Sequence, residues 1–176
     1  MEWKKGNYNR ALLILFAVYL AALTWIILFK LTVPSNIWVL GRDRVINLIP
    51  FYDTIENKFF NDFFDMTANI IVFIPFGIYA GVILRGVPMW QKAMTAAVLS
   101  AGYEAAQFIF AIGVTDITDV MMNTLGAVIG AAVYEYIYLK LKSDQKTRRF
   151  IALCSAASAI PMGAVLGITS VAFSFV

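Results

Sequence analysis

Apolar residues run along this chain in long blocks separated by short polar stretches. A helix rises about 1.5 Å per residue, so a hydrocarbon core of about 30 Å takes roughly 20 residues to cross. The first block, Ala11 to Phe29, holds no charged residue. Further blocks predict spans over 67–84, 91–113, 118–138 and 150–175. The expected fold class is therefore all-α, a polytopic membrane helix bundle of about five transmembrane helices, in a single domain over 1–176. The alternative has four spans, with 150–176 peripheral. Small residues in that last block (Ser155, Ala156, Ala157, Ser158, Gly163) favour helix packing and so the first reading.

Between the first two spans lies a connection over 31–66, and a structureless loop of that length is uncommon. Its second part, FYDTIENKFFNDFFD, places Phe59, Phe60, Phe63 and Phe64 on one helical face, with Asn57, Lys58, Asn61 and Asp62 interleaved. An amphipathic segment near Phe51–Asp65, lying on the outer membrane surface or re-entering it, is expected.

The polar positions inside the apolar blocks are more telling. They read Glu104-x-x-Gln107, then Asp116-x-x-Asp119-x-x-x-Asn123-x-x-Gly126. An ionisable group at membrane depth costs about 2.5–3.5 kcal/mol on insertion scales, so such groups mark a site by default. The competing reading is a helix–helix hydrogen-bond lock, worth about 0.6 kcal/mol per bond. Glu104 and Gln107 lie three apart and share a helix face. The link 114–118 is short, so spans three and four form a tight antiparallel hairpin with Asp116 and Asp119 at its tip. Either Thr118 or Asp119 suits the N-cap of span four. Asn123 lies one turn deeper, and Gly126 and Gly130 continue that face as a small-x-x-x-small pair suited to close packing. In span two, Pro75 and Gly77 are assigned to packing, and Asn69 opens the apolar part near the level of the hairpin tip. Asn47, in the run Asn47-Leu-Ile-Pro-Phe51, lies in the loop on the same side. The candidate ligand-binding set is Glu104, Gln107, Asp116, Asp119, Asn123, Asn69 and Asn47. Glu135, among tyrosines at the far end of span four, is read as an interfacial residue outside the set.

Composition narrows the chemistry. The chain has 176 residues, 61% of them hydrophobic, and no histidine. Imidazole acid–base catalysis and histidine metal ligation are therefore excluded. The single cysteine, Cys154, excludes an internal disulfide. With the N-terminus inside, ten of the 14 Lys and Arg lie on cytoplasmic segments, leaving Lys30, Arg42, Arg44 and Lys58 outside. That bias predicts a cytoplasmic N-terminus and an extracytoplasmic C-terminus. The pI near 9.0 then reflects cations flanking spans rather than a nucleic-acid partner. No cofactor is expected. A divalent cation such as Mg²⁺ or Ca²⁺, held by oxygens of Asp116, Asp119 and Glu104, is the alternative.

These residues, taken in order, resemble the VanZ-like family. The resemblance rests on Asn69-Ile-Ile-Val-Phe-Ile-Pro75-Phe-Gly77, Glu104-x-x-Gln107, and Thr115-Asp116-Ile-Thr-Asp119-Val-Met-Met-Asn123-Thr-Leu-Gly126, and it covers about 45–140. It implies a small multi-pass protein of the bacterial cytoplasmic membrane, linked to resistance to the lipoglycopeptide teicoplanin. The expected function is binding of an amphiphile by an outward-facing acidic and amide pocket. Candidates are a lipid-linked wall precursor, a lipid head group or a lipoglycopeptide, with membrane lipids as further partners. Two alternatives stay open. One is a membrane enzyme acting on a lipid-linked head group, with Glu104 and Asp119 as acid and base. The other is a small ion- or proton-coupled carrier.

Overall fold

The computed structural model describes residues 3–29, 46–52, 59–112 and 114–157. Its helices are α1 (Trp3–Phe29), α2 (Phe59–Ile83), α3 (Met89–Phe110), α4 (Ile117–Leu141) and α5 (144–157). Two short strands, β1 (Ile46–Asn47) and β2 (Thr115–Asp116), complete the described elements. The chain divides into two compact units, Met1–Ile37 with Ile137–Val176, and Trp38–Tyr136.

In the first unit α1 is built from the uninterrupted apolar run that predicted it. Leu12, Tyr19, Leu23 and Ile27 are buried at helical spacing. The Thr24 hydroxyl donates to the Leu20 carbonyl at 2.7 Å, which satisfies it within its own helix. Arg148 of α5 donates from Nη1 to Asn9 Oδ1 of α1 at 3.2 Å.

The second unit holds α2, α3, both strands and most of α4. α2 buries Phe73, Phe76, Tyr79 and Val82, whereas α3 and α4 are largely polar or small on the inside and apolar on the outside. On α3 the buried residues are Lys92, Ala96, Ser100, Tyr103, Glu104 and Gln107, while Met94, Val98, Ile109 and Phe110 are exposed. On α4, Asn123, Gly126, Ala127, Gly130 and Ala131 are buried, and Leu125, Ile129 and Val133 face outward. That inversion suits a lipid surround, where apolar surface needs no cover and polar groups must find partners within the bundle.

Glycine sets the spacing of α2 and α4. A Cβ on Gly126 would overlap the Ile70 carbonyl oxygen, and one on Gly130 would overlap that of Ile74. A Cβ on Gly77 would overlap the Ala127 carbonyl, and Gly81 lies under the Tyr134 ring. The approaches at Gly77, Gly126 and Gly130 are backbone-to-backbone, of the kind small-x-x-x-small pairs permit. Pro75 lies inside α2 without ending it.

Among the described residues, three helices are long and apolar enough to cross a membrane: Asn9–Leu28, Phe63–Ile83 and Ile117–Leu141. The chain is a membrane protein. The block expected to form a third span is helical at 22 residues, but α3 is not among those three. Lys92, Glu104, Gln91 and Gln107 lower its hydropathy. The fifth expected span is described only to residue 157, and 158–175 lie outside the described residues. The amphipathic segment differs from expectation. Its Phe59–Asp65 part is not a separate helix but the first turns of α2, continuous with the span. Residues 53–58 lie outside the described residues.

At the end of α3, Ala111 takes a left-handed conformation (φ 52, ψ 40), with its N–H donating back to the Gln107 and Phe108 carbonyls. Ile112 N–H also reaches the Gln107 carbonyl, at 3.1 Å. This is a helix-terminating turn that normally carries glycine. Ala111→Gly should therefore stabilise the protein by about 0.5–1 kcal/mol, since relief of the Cβ clash outweighs glycine's extra unfolded-state entropy. A higher midpoint of thermal unfolding in detergent checks it, and a lower one would refute the assignment of that turn.

Candidate functional site

The site is assembled where α3 ends and α4 begins, beside Asn69, about three turns into α2. The tight hairpin brings Asp116 over the last turns of α3, and the β1–β2 ladder draws in the loop. That ladder is parallel, pairing Ile46 with Thr115 and Asn47 with Asp116.

Glu104, only 4% exposed, accepts the Asp116 backbone N–H on Oε2 at 2.8 Å. Its backbone carbonyl accepts the Thr115 hydroxyl at 3.2 Å. Asp116 in turn accepts the Thr118 N–H on Oδ1 at 2.7 Å and the Asn47 amide on Oδ2 at 3.2 Å. Asn47 Oδ1 accepts the Ile49 N–H at 3.2 Å. The loop is pinned again at Phe51, whose N–H donates to the Thr118 hydroxyl at 3.0 Å. The bond from Asp116 to Thr118 is an N-cap bond at the start of α4. The cap is thus Asp116, not Thr118 or Asp119 as the sequence suggested. Asp116 can reach back because it immediately precedes the first helical residue, whereas Thr118 and Asp119 are already inside the first turn.

Asp119, freed from capping, accepts the Asn69 amide on Oδ1 at 2.6 Å, joining α4 to α2. Deeper still, Asn123 donates to the Ser100 hydroxyl at 2.8 Å, joining α4 to α3. Asn123 and Gln107 are each 1% exposed, and Ser100 is fully buried. Asn123 Oδ1 is buried with no hydrogen-bond partner among the described residues. The structure thus links Glu104, Asp116 and Asn47 in one chain of bonds, places Asn69 with Asp119, and sets Asn123 in the core.

A model of the VanZ/LLP1 family matches residues 16–139. The chain is also similar to Protein VanZ of Enterococcus faecium, with 41% identity over 120 residues, 68% of this chain and 71% of that protein. It belongs to the VanZ/LLP1 family. No solved structure matches it. The family match reaches back into α1 and so takes in more of the chain than the motifs alone indicated.

Within this VanZ/LLP1 chain, two features of the bundle escaped the sequence reading. Ser100 is the partner of Asn123, yet a lone serine among alanines carries little signal; only its place one turn before Glu104 pointed to it. Glu135 is not merely interfacial. It pairs with buried Lys92 at 2.8 Å, and the Lys92 Nζ lies 5.8 Å from the centre of the Tyr134 ring. This second polar cluster lies toward the opposite end of α3 from the hairpin. Among the described residues, no group of three His, Cys, Asp or Glu side chains is arranged to hold a metal ion.

Proposed function

We propose that this protein binds the polar head of an amphiphile at the extracytoplasmic surface of the bacterial cytoplasmic membrane, and so contributes to glycopeptide resistance. The head would be that of a lipid-linked wall precursor, a membrane lipid or a lipoglycopeptide such as teicoplanin. The observation that carries this reading is the pairing of amide with carboxylate at one end of an apolar bundle: Asn69 with Asp119 at 2.6 Å and Asn47 with Asp116 at 3.2 Å. Such pairs offer both donors and acceptors, which a hydroxyl- and amide-rich head group requires. Phe63 and Phe64, 52% and 70% exposed, lie on α2 within two turns of Asn69 and suit an acyl or aryl group. The outward placement of the hairpin end is supported by the distribution of Lys and Arg. Membership of the VanZ/LLP1 family supports the link to resistance.

Binding is favoured over proton transfer because Glu104 and Asp116 accept hydrogen bonds from backbone N–H groups of the protein itself. Carboxylates so engaged are organised to hold shape. Asp119→Asn keeps the side chain's outline but exchanges a charge-assisted bond for a neutral one. It should weaken binding of extracted envelope lipids by about 1–2 kcal/mol, roughly ten-fold, and lower teicoplanin tolerance per folded molecule. Should the variant accumulate, bind and protect cells like the parent, the site is misassigned. A loss of turnover near 10²–10⁴-fold with binding intact would instead support an enzyme.

A further inference from the structure

The turn between α4 and α5 carries a second, independent feature. α4 stops at Leu141, and Lys142 takes a left-handed conformation (φ 47), with its N–H donating to the Tyr138 carbonyl at 2.9 Å. Ser143 then precedes α5 and caps it. Its side-chain oxygen accepts the Lys146 N–H at 3.4 Å, and its carbonyl accepts the Thr147 N–H at 3.0 Å. The acid of this segment, Asp144, accepts from Arg148 Nε at 3.0 Å. Lys142, Lys146 and Arg149 are exposed and make no ion pair among the described residues. Lys146 and Arg149, three apart, share one face of α5.

Large apolar residues border these cations on both sides. Leu139 on α4 is 67% exposed, and Phe150 and Leu153 on α5 are 48% and 60% exposed. The exposed surface therefore changes from hydrocarbon-compatible to cationic within a turn, on two successive helices. That border marks the level of lipid head groups, where long cationic side chains extend toward phosphate. A soluble anion would have no use for the apolar flanks.

We infer that Lys142, Lys146 and Arg149 bind the phosphodiester of an anionic phospholipid, whose acyl chains lie along Leu139, Phe150 and Leu153. The acid that could compete is held by Arg148, so the cations remain available to the lipid. The test uses the purified full-length chain in detergent, with retention of phosphatidylglycerol and phosphatidylcholine measured by native mass spectrometry. The parent should retain phosphatidylglycerol roughly 100-fold more strongly, from about a five-fold preference for each of the three cations. The triple change Lys142→Gln, Lys146→Gln, Arg149→Gln should bring retention down to the phosphatidylcholine level. Lys142→Arg with Lys146→Arg should keep the preference, because charge is retained. If the triple variant loses helicity by circular dichroism, Lys146→Gln alone should still lower the preference about five-fold. Equal retention of both lipids by the parent overturns the inference, as does a folded triple variant that retains phosphatidylglycerol undiminished. Displacement of the lipid by inorganic phosphate would identify a plain anion site and overturn it equally.

Discussion

Gly126→Leu should leave little folded protein in the membrane. A side chain at that position meets the backbone carbonyl of Ile70, and no rotamer change relieves a clash with backbone. Either α2 and α4 separate or one of them shifts, and both disturb the Asn69–Asp119 bond formed one to two turns away. Overpacking typically costs about 1–3 kcal/mol where side chains can yield; here only whole helices can, so roughly 3 kcal/mol or more is expected. Combined with Gly130→Leu, which meets the Ile74 carbonyl, the loss approaches the total stability of many domains, about 5–15 kcal/mol. Gly102→Leu is the control, since nothing lies within 4 Å of a Cβ built there. The measurement is the yield and thermal midpoint of monodisperse protein in detergent. Equal behaviour of Gly126→Leu and Gly102→Leu would show that α2 and α4 are not packed through these glycines.

The second large effect is expected at Glu104. Its carboxylate holds the Asp116 N–H, and Asp116 in turn caps α4 and pairs with Asn47. Glu104→Leu leaves that N–H without its acceptor in a site shielded from water, at a cost of about 2–3 kcal/mol. Glu104→Gln keeps an oxygen in reach and forfeits only the charge, so it should lose about half as much. Hydrogen exchange separates the cases. Exchange at Asp116 and Thr118 should accelerate strongly in Glu104→Leu and modestly in Glu104→Gln, while amides in the middle of α2 stay slow. Identical exchange in the two variants would mean that the carboxylate does not organise the hairpin.

Much of this arrangement was legible in the chain because lipid leaves so few options for polar side chains. Glu104, Asp119 and Asn123 stand out against alanine and leucine, and a link as short as 114–118 can only fold back on itself. Gly126 and Gly130 announced a close approach by their spacing, though not which carbonyls they would meet. The β1–β2 ladder was not legible. Two residues are too few to show a period, and their partners are 69 positions apart in sequence. The cap was read two or three residues late because Thr118, Asp119 and Asp116 are all suitable cap residues and only geometry chooses among them. The Lys92–Glu135 pair was hidden for a related reason: each residue alone resembles an ordinary interfacial charge, and 43 positions separate them.

The two charges on α3 also bear on how the protein is made. Lys92 finds Glu135 and Glu104 finds the Asp116 N–H, so both partners are synthesised after α3 itself. As α3 leaves the ribosome it carries two unmatched ionisable groups, each unfavourable by up to about 2.5–3.5 kcal/mol at the centre of a span and by less toward its end, where Lys92 lies. Alone it should hesitate at the insertion machinery, and it should enter lipid together with α4 as a hairpin. Chains truncated after Phe110 should then integrate α3 poorly, and chains extended through Leu141 should integrate it well. If the shorter chain integrates α3 as efficiently as the longer one, the helices enter independently and the pairs form only afterwards.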